Sequence, residues 1–163
     1  MTRRDDLRRV DQAIARVARI ATGREGARLR SERSGVSLSQ PAVTILAALR
    51  SAGDARSSEI GRLTGLEAPL ISREVGDLVE SGHVRRKADP TDRRAGIVGL
   101  TPKGQRASEA YRAAADELMA EMLSSWSAAD LHDLATHLER VVRDFCTPTR
   151  SATGESLPAR AVI

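Results

Sequence analysis

Residues 83–101 read HVRRKADPTDRRAGIVGLT, and the order of residue types in this stretch is the most informative feature of the chain. Two short β-like runs, 83–87 and 96–100, enclose a segment whose Pro, Asp and Thr suit a turn and whose charges suit solvent. The pattern predicts a two-stranded hairpin with a basic tip. Residues 83–106 hold seven basic and two acidic side chains, a net charge of +5, and such clustering favours a polyanionic partner.

Three helical patterns precede the hairpin, over residues 40–50, 57–64 and 69–80. The last two are joined through residues 65–67, which is the spacing of a helix-turn-helix. A bihelical motif followed at once by a basic hairpin is typical of the winged form of this motif. In that form the second helix enters the major groove of DNA, and the hairpin follows the backbone into the adjacent minor groove.

The second helix of the motif has a consistent outward face. This face is formed by Pro69, Ser72, Arg73 and Gly76, and the opposite, inward face by Ile71, Val75, Leu78 and Val79. Arg73 is the candidate for a bidentate guanine contact, with a solvated or phosphate-bound side chain as the alternative, and Ser72 suits a base or a phosphate. Glu74 and Asp77 are excluded from the base-reading set and are interpreted as structural or partner-bound.

Apolar stripes at helical spacing occur near both ends of the chain. The first consists of Leu7, Val10, Ile14, Val17 and Ala21, and the second of Leu131, Leu134, Leu138, Val141 and Phe145. Each stripe suits either an intramolecular core or a dimer interface. Their position outside a middle segment that resembles a complete small domain favours dimerisation. A further helix over 102–125 is expected to place Met122 and Trp126 in the core.

Composition excludes several classes of protein. Hydrophobic residues make up 40% of the 163-residue chain, too many for disorder, and the three aromatic residues are too few for a reader of single-stranded nucleic acid. No apolar run is long enough to span a bilayer and the start lacks a secretion signal, so we expect a cytoplasmic protein without membrane association. Cys146 is the only cysteine and is interpreted as a buried or idle thiol.

Residues 92–101, DRRAGIVGLT, match the D-x-R-x-x-x-x-x-L-T wing motif of the multiple-antibiotic-resistance repressor (MarR) family. The positions that agree with the family's recognition helix and first wing strand are Ser72, Arg73, Leu78, Glu80, Gly82 and Arg86. The sequence therefore resembles the MarR family, and its flanking helical patterns fit that architecture over nearly all of residues 1–146.

The resemblance implies a mainly α fold with a small β-hairpin wing. It divides residues 1–146 into an N-terminal dimerisation helix (1–35), a winged helix-turn-helix DNA-binding domain (36–101) and C-terminal dimerisation helices (102–146). Residues 147–163, which hold two Pro and one Gly among mostly small or polar residues, are interpreted as a flexible tail. The resemblance also implies a homodimer on a pseudo-palindromic operator in double-stranded DNA. In the family pattern Arg94 enters the minor groove and Asp92 helps to hold the wing, while we assign Arg93 to phosphate or to the same groove.

These expectations lead to one functional prediction. The chain is predicted to be a sequence-specific transcriptional regulator, a homodimeric repressor released by a small anionic or phenolic effector. The alternative is a nonspecific architectural DNA-binding protein. The predicted DNA-binding residues are Pro69, Ser72, Arg73, Arg86, Arg93 and Arg94.

No enzymatic activity, cofactor or metal is expected, because the sequence has no nucleophile–His–acid spacing, no Gly-rich phosphate loop and no metal-ligand cluster. The effector contacts are left unassigned. Four arginines of the N-terminal segment, Arg16, Arg19, Arg24 and Arg28, are each interpreted either as a partner for an effector carboxylate or as an exposed helix side chain.

Overall fold

The computed structural model describes residues 2–88 and 96–146. In order, the helices are α1 (Arg3–Thr22), α2 (Arg24–Ser34), α3 (Gln40–Ala52), α4 (Ser57–Thr64), α5 (Ala68–Glu80), α6 (Pro102–Met122) and α7 (Ala128–Cys146). The strands are β1 (Ala55–Arg56), β2 (Val84–Ala88) and β3 (Gly96–Leu100). This arrangement confirms the predicted fold class, a mainly helical protein with a small β wing.

The three strands form one antiparallel sheet in the order β1-β3-β2. Strands β2 and β3 are the predicted hairpin, with Val84 opposite Leu100 and Ala88 opposite Gly96. Strand β1 was not predicted, because two residues are too few to show the alternation of a strand. It adds Ala55 opposite Val98, which closes the inner edge of the wing against the helices.

The hydrophobic core lies in the middle of the chain. It is built from α3, α4, α5, the sheet and the first turns of α6, and its fully buried members include Ile45, Leu46, Ile60, Ile71, Leu78 and Val98. The prediction that Val79 also points inward was wrong, because Val79 is 37% exposed. Val79 follows Leu78 by 100° around the helix, so it lies at the edge of the buried stripe.

Local signals in the sequence explain where the helices begin and end. The Oγ atoms of Ser39 and Thr101 accept hydrogen bonds from backbone amides at the starts of α3 and α6. Ser127 and Asp130 bond reciprocally at the start of α7 and form a capping box. Helix α4 ends at Gly65, whose φ of 69° is the left-handed conformation that favours glycine.

The helices at the ends of the chain contribute little to this core. Neither α1 nor α2 contains a buried residue, and Gly23 separates these two helices where the resemblance implied one N-terminal helix over 1–35. Val17 in α1 and Val142 in α7 are 65% and 61% exposed. The prediction that Met122 and Trp126 pack in the core was wrong for the single chain, since both are exposed.

Candidate nucleic-acid interface

Helix α5 presents an open face that the rest of the domain does not cover. Its inner side is fixed because Ile71, Val75 and Leu78 are at most 1% exposed. On the outer side Pro69, Ser72 and Arg73 are exposed. A Cβ atom built on Gly76 meets nothing within 4 Å. The face is therefore smooth, and a helix of this kind fits the major groove of B-form DNA.

Glu74, next to Arg73 on α5, is buried although it carries a carboxylate. Its Oε2 accepts a hydrogen bond of 2.5 Å from the Oγ of Ser39, and its Oε1 accepts one of 3.1 Å from Nη2 of Arg73. The Arg73 side chain itself is 69% exposed. Glu74 is thus held by two partners within its own domain, which agrees with the first of the two alternatives, structural or partner-bound, that the sequence left for it.

The first wing strand points its basic side chains in two directions. Arg85 and Lys87 both lie within 3.4 Å of the carboxylate of Asp54, which immediately precedes β1. Arg85 also donates to the backbone carbonyl of Leu100. Arg86 projects from the other face of the strand and is exposed. Of the three, Arg86 is therefore the one that the described part of the chain leaves available to an anion.

Gly99 explains how Asp54 reaches across the sheet. Asp54 and Arg85 flank Gly99, which lies opposite Arg85 on the central strand β3. A Cβ atom at position 99 would lie 2.0 Å from Oδ1 of Asp54. The missing side chain leaves room for the carboxylate to pass over the central strand, so the two outer strands are linked by an ion pair.

His83 immediately precedes β2 and follows the end of α5 by three residues. Its Nδ1 lies 2.9 Å from the Oγ of Ser81. Burial lowers the pKa of His83 below its usual 6.5, and the ammonium of Lys103 lowers it further. The imidazole is therefore mostly neutral at pH 7 and adds little positive charge to this surface.

Comparison with known proteins identifies the architecture. The sequence profile of the MarR family matches residues 34–95, which include the bihelical motif and most of the wing. A crystal structure of a probable transcriptional regulator from Pseudomonas aeruginosa is 32% identical, with a TM-score of 0.64 over 81% of this chain and 98% of the other. The chain belongs to the MarR family.

Two further similar proteins extend the comparison. The uncharacterized HTH-type transcriptional regulator YdgJ of Bacillus subtilis is 27% identical over 104 residues, which is 64% of this chain but only 63% of that relative. BpsR of Bordetella bronchiseptica, whose DNA binding is regulated by 6-hydroxynicotinic acid, has a TM-score of 0.64 at 18% identity over 82% of this chain and 98% of its own. The second likeness concerns the fold alone.

Within the MarR fold, the predicted DNA-binding residues fall into two groups. Pro69, Ser72 and Arg73 lie together on the outer face of α5, and Arg86 lies on β2. Arg93 and Arg94, with the predicted wing-holding residue Asp92, lie outside the described residues. Sequence reasoning missed Asp54, whose partners Arg85 and Lys87 follow it by 31 and 33 positions, so no local motif indicated it.

A second polar site lies where α2, α3 and α6 meet. The guanidinium of Arg30 stands 5.7 Å from the ring centre of Tyr111, and its Nε donates to the Tyr111 hydroxyl over 3.2 Å. That hydroxyl donates in turn to Oε1 of Gln40 over 3.2 Å. Arg28, one of the four arginines considered from the sequence, instead pairs with Glu25 and Glu32 on an exposed surface. Arg30 was not among those four.

The ends of the MarR chain carry uncovered apolar faces. On α1 and α7 the exposed large hydrophobic residues are Leu7, Val10, Ile14, Val17, Ile20, Leu131, Leu138 and Val142. Met119 and Met122 at the end of α6, and Trp126 just beyond it, are exposed as well. Across residues 2–88 and 96–146, no helix has the length and apolar character needed to cross a membrane.

Proposed function

We propose that this MarR-family chain is a sequence-specific DNA-binding transcriptional regulator that acts in the cytoplasm as a homodimeric repressor. The observation that carries the proposal is the outer face of α5, which is small and open apart from one hydroxyl and one guanidinium. Ser72 and Arg73 supply these two groups, and Arg73 is assigned to a guanine. Arg86, Arg93 and Arg94 are assigned to the backbone and the minor groove beside the wing.

The uncovered faces of α1 and α7 support the homodimer. Large side chains such as Val17 and Val142 are more than half exposed in the single chain, and α7 packs extensively against none of the other described elements. An amphipathic helix is stable in water when its apolar face is covered. A second copy of the chain supplies the same apolar faces to cover those of the first. The resulting dimer carries two recognition helices, one for each half-site of a pseudo-palindromic operator.

The junction of Arg30, Tyr111 and Gln40 is the proposed effector site. A small carboxylate or phenol would meet a guanidinium and a phenolic hydroxyl there, and charge-assisted hydrogen bonds to arginine favour a carboxylate. The regulation of BpsR by 6-hydroxynicotinic acid is an example of such an effector in a protein of the same fold. The junction joins α2 and α6 to α3, so a ligand there would shift the terminal helices against the DNA-binding core.

Footprinting on the DNA that flanks the coding region tests the main proposal. We expect two protected half-sites about 10 base pairs apart, centre to centre. The protected fragment is then titrated in competition with random duplex DNA. A specific regulator prefers the protected fragment by a factor of about 1,000 or more. A ratio near one would instead support the nonspecific architectural protein.

The effector site is tested with an R30A variant and an R28A control. Both changes remove one arginine from α2, but Arg28 pairs only with exposed acids in the described structure. A panel of aromatic carboxylic acids and phenols is added to each protein bound to the footprinted DNA. We expect an active compound to release wild type and R28A while R30A stays bound. Equal release of all three proteins would contradict the assignment.

A further inference from the structure

The buried carboxylate inside the recognition helix has a role that the proposed contacts do not explain. We propose that Glu74 is a positioning residue for base reading: it holds the Arg73 guanidinium in one orientation and is itself held by Ser39. The inference rests on the proposed function, because it concerns how Arg73 meets a base.

Burial makes the Glu74 carboxylate depend on its partners. The residue is 6% exposed, and a buried charge is costly unless other groups neutralise it and bond to it. Each oxygen has a different partner: Ser39 donates to Oε2 and Arg73 donates to Oε1. The carboxylate therefore bridges a fixed point inside the domain and a side chain that reaches into solvent.

Ser39 makes the inner end of this bridge rigid. Its Oγ also accepts a hydrogen bond of 3.1 Å from the backbone amide of Ala42, as the N-cap of α3. Helix α3 is anchored by Ala42, Ile45 and Leu46, which are all buried in the core. Rotation of the Glu74 side chain would break the bond to Ser39, so Arg73 is tied to a point that does not move with respect to the core.

The bridge leaves Arg73 able to read a base. A guanidinium has five N–H donors, and a guanine edge needs two of them for O6 and N7. Arg73 uses one donor on Glu74. An untethered arginine loses rotamer freedom when it binds a base, and this entropy loss weakens binding; it can also reach neighbouring phosphates. An arginine that Glu74 already holds in place loses less rotamer freedom on binding, so its affinity for the correct base should be about two- to tenfold higher.

An E74Q variant removes the tether with little change of shape. The amide oxygen of glutamine still accepts from Ser39, while its NH₂ group has no lone pair to accept from Arg73. We expect discrimination at one base pair of each half-site to fall about two- to tenfold, measured by competition between operators that differ only there. The melting temperature reports separately on folding.

D77N is the matched control for charge. Asp77 lies three residues further along α5 and is exposed, so its change removes the same charge from the same helix without touching the bridge. We expect D77N to tighten binding to all duplexes alike and to leave base discrimination unchanged. If E74Q behaves like D77N, Glu74 acts only through its charge and the proposal is overturned.

A double-mutant cycle identifies the residue through which Glu74 acts. In an R73A background, E74Q is expected to cause no further loss of discrimination, because its target is absent. A loss that persists in that background would overturn the proposal. If E74Q fails to fold, S39A replaces it: the carboxylate and Arg73 remain but the inner anchor is lost, and weaker discrimination at the same base pair is expected. S39A with full discrimination would also refute the proposal. A wild-type protein without any sequence preference would instead refute the proposed function.

Discussion

Replacing Gly76 by alanine should stabilise the protein and weaken its binding to DNA. Gly76 lies in the interior of α5, where glycine costs about 0.5–1 kcal/mol relative to alanine. A Cβ atom there meets nothing within 4 Å, so the folded chain accepts the methyl group without strain. We expect the melting temperature to rise by about 1–4 °C.

The same methyl group stands on the face assigned to the base edges. If the helix packs closely in the groove, the extra carbon costs at least about 1 kcal/mol per half-site, the lower limit for overpacking of a well-fitted contact. Two half-sites bring the loss to about 30-fold in Kd. Fluorescence anisotropy with the footprinted operator, beside a thermal melt of the free protein, measures both quantities.

The opposite signs of the two effects make G76A a sharp test. A misfolded variant would lose both stability and affinity, so its failure is distinguishable from a direct clash with DNA. A lower melting temperature would refute the argument from open space around position 76. An unchanged Kd at higher stability would show that this face of α5 does not approach the bases.

Three further results are expected. A G104A variant should lose at least about 1–3 kcal/mol of folding stability, because the new Cβ atom would lie 1.9 Å from the backbone oxygen of His83. Denaturant titration measures this loss, and a stability equal to wild type would contradict the expectation. An L138E variant should dissociate the proposed dimer in sedimentation experiments by at least tenfold in Kd, whereas L63E, which changes a similarly exposed leucine on α4, should not. Hydrogen bonds from Ser127 lower the pKa of Asp130 below 3.8, so this cap stabilises α7 above that pH and loses its effect as the pH falls through the lowered value; a D130N variant should flatten that part of the acid unfolding curve.

The parts of the fold that the sequence predicted are those with local signals. The helices predicted over 57–64 and from positions 40 and 102 are present, and their ends are fixed by neighbouring residues: Gly65 ends α4, while Ser39 and Thr101 cap the starts of α3 and α6. Strand β1 and the buried state of Glu74 depend on partners far away in the chain. Ser39 precedes Glu74 by 35 residues, and no local spacing predicts that contact.

The errors at Met122 and Trp126 have a different origin. Helical periodicity identifies which side of a helix is apolar, but it does not say whether that side meets the same chain or another one. Both residues were assigned to the core of one chain, and both are exposed there. For the same reason the stripes on α1 and α7 were correctly identified as apolar faces while their partner was left open between two alternatives.

The separation of the core from the terminal helices has a consequence for how the protein responds to its own abundance. The core residues lie between positions 36 and 107, so the winged domain closes its hydrophobic interior without help from a second molecule. The faces of α1 and α7 are covered only by association in the proposed dimer, which makes the order of those helices depend on concentration. Dilution would then melt the terminal helices first and leave isolated winged domains, each limited to a single half-site. A cell that makes few copies would hold folded domains that do not occupy both half-sites of an operator together, and a modest rise in synthesis would bring the operator to full occupancy over a narrow range.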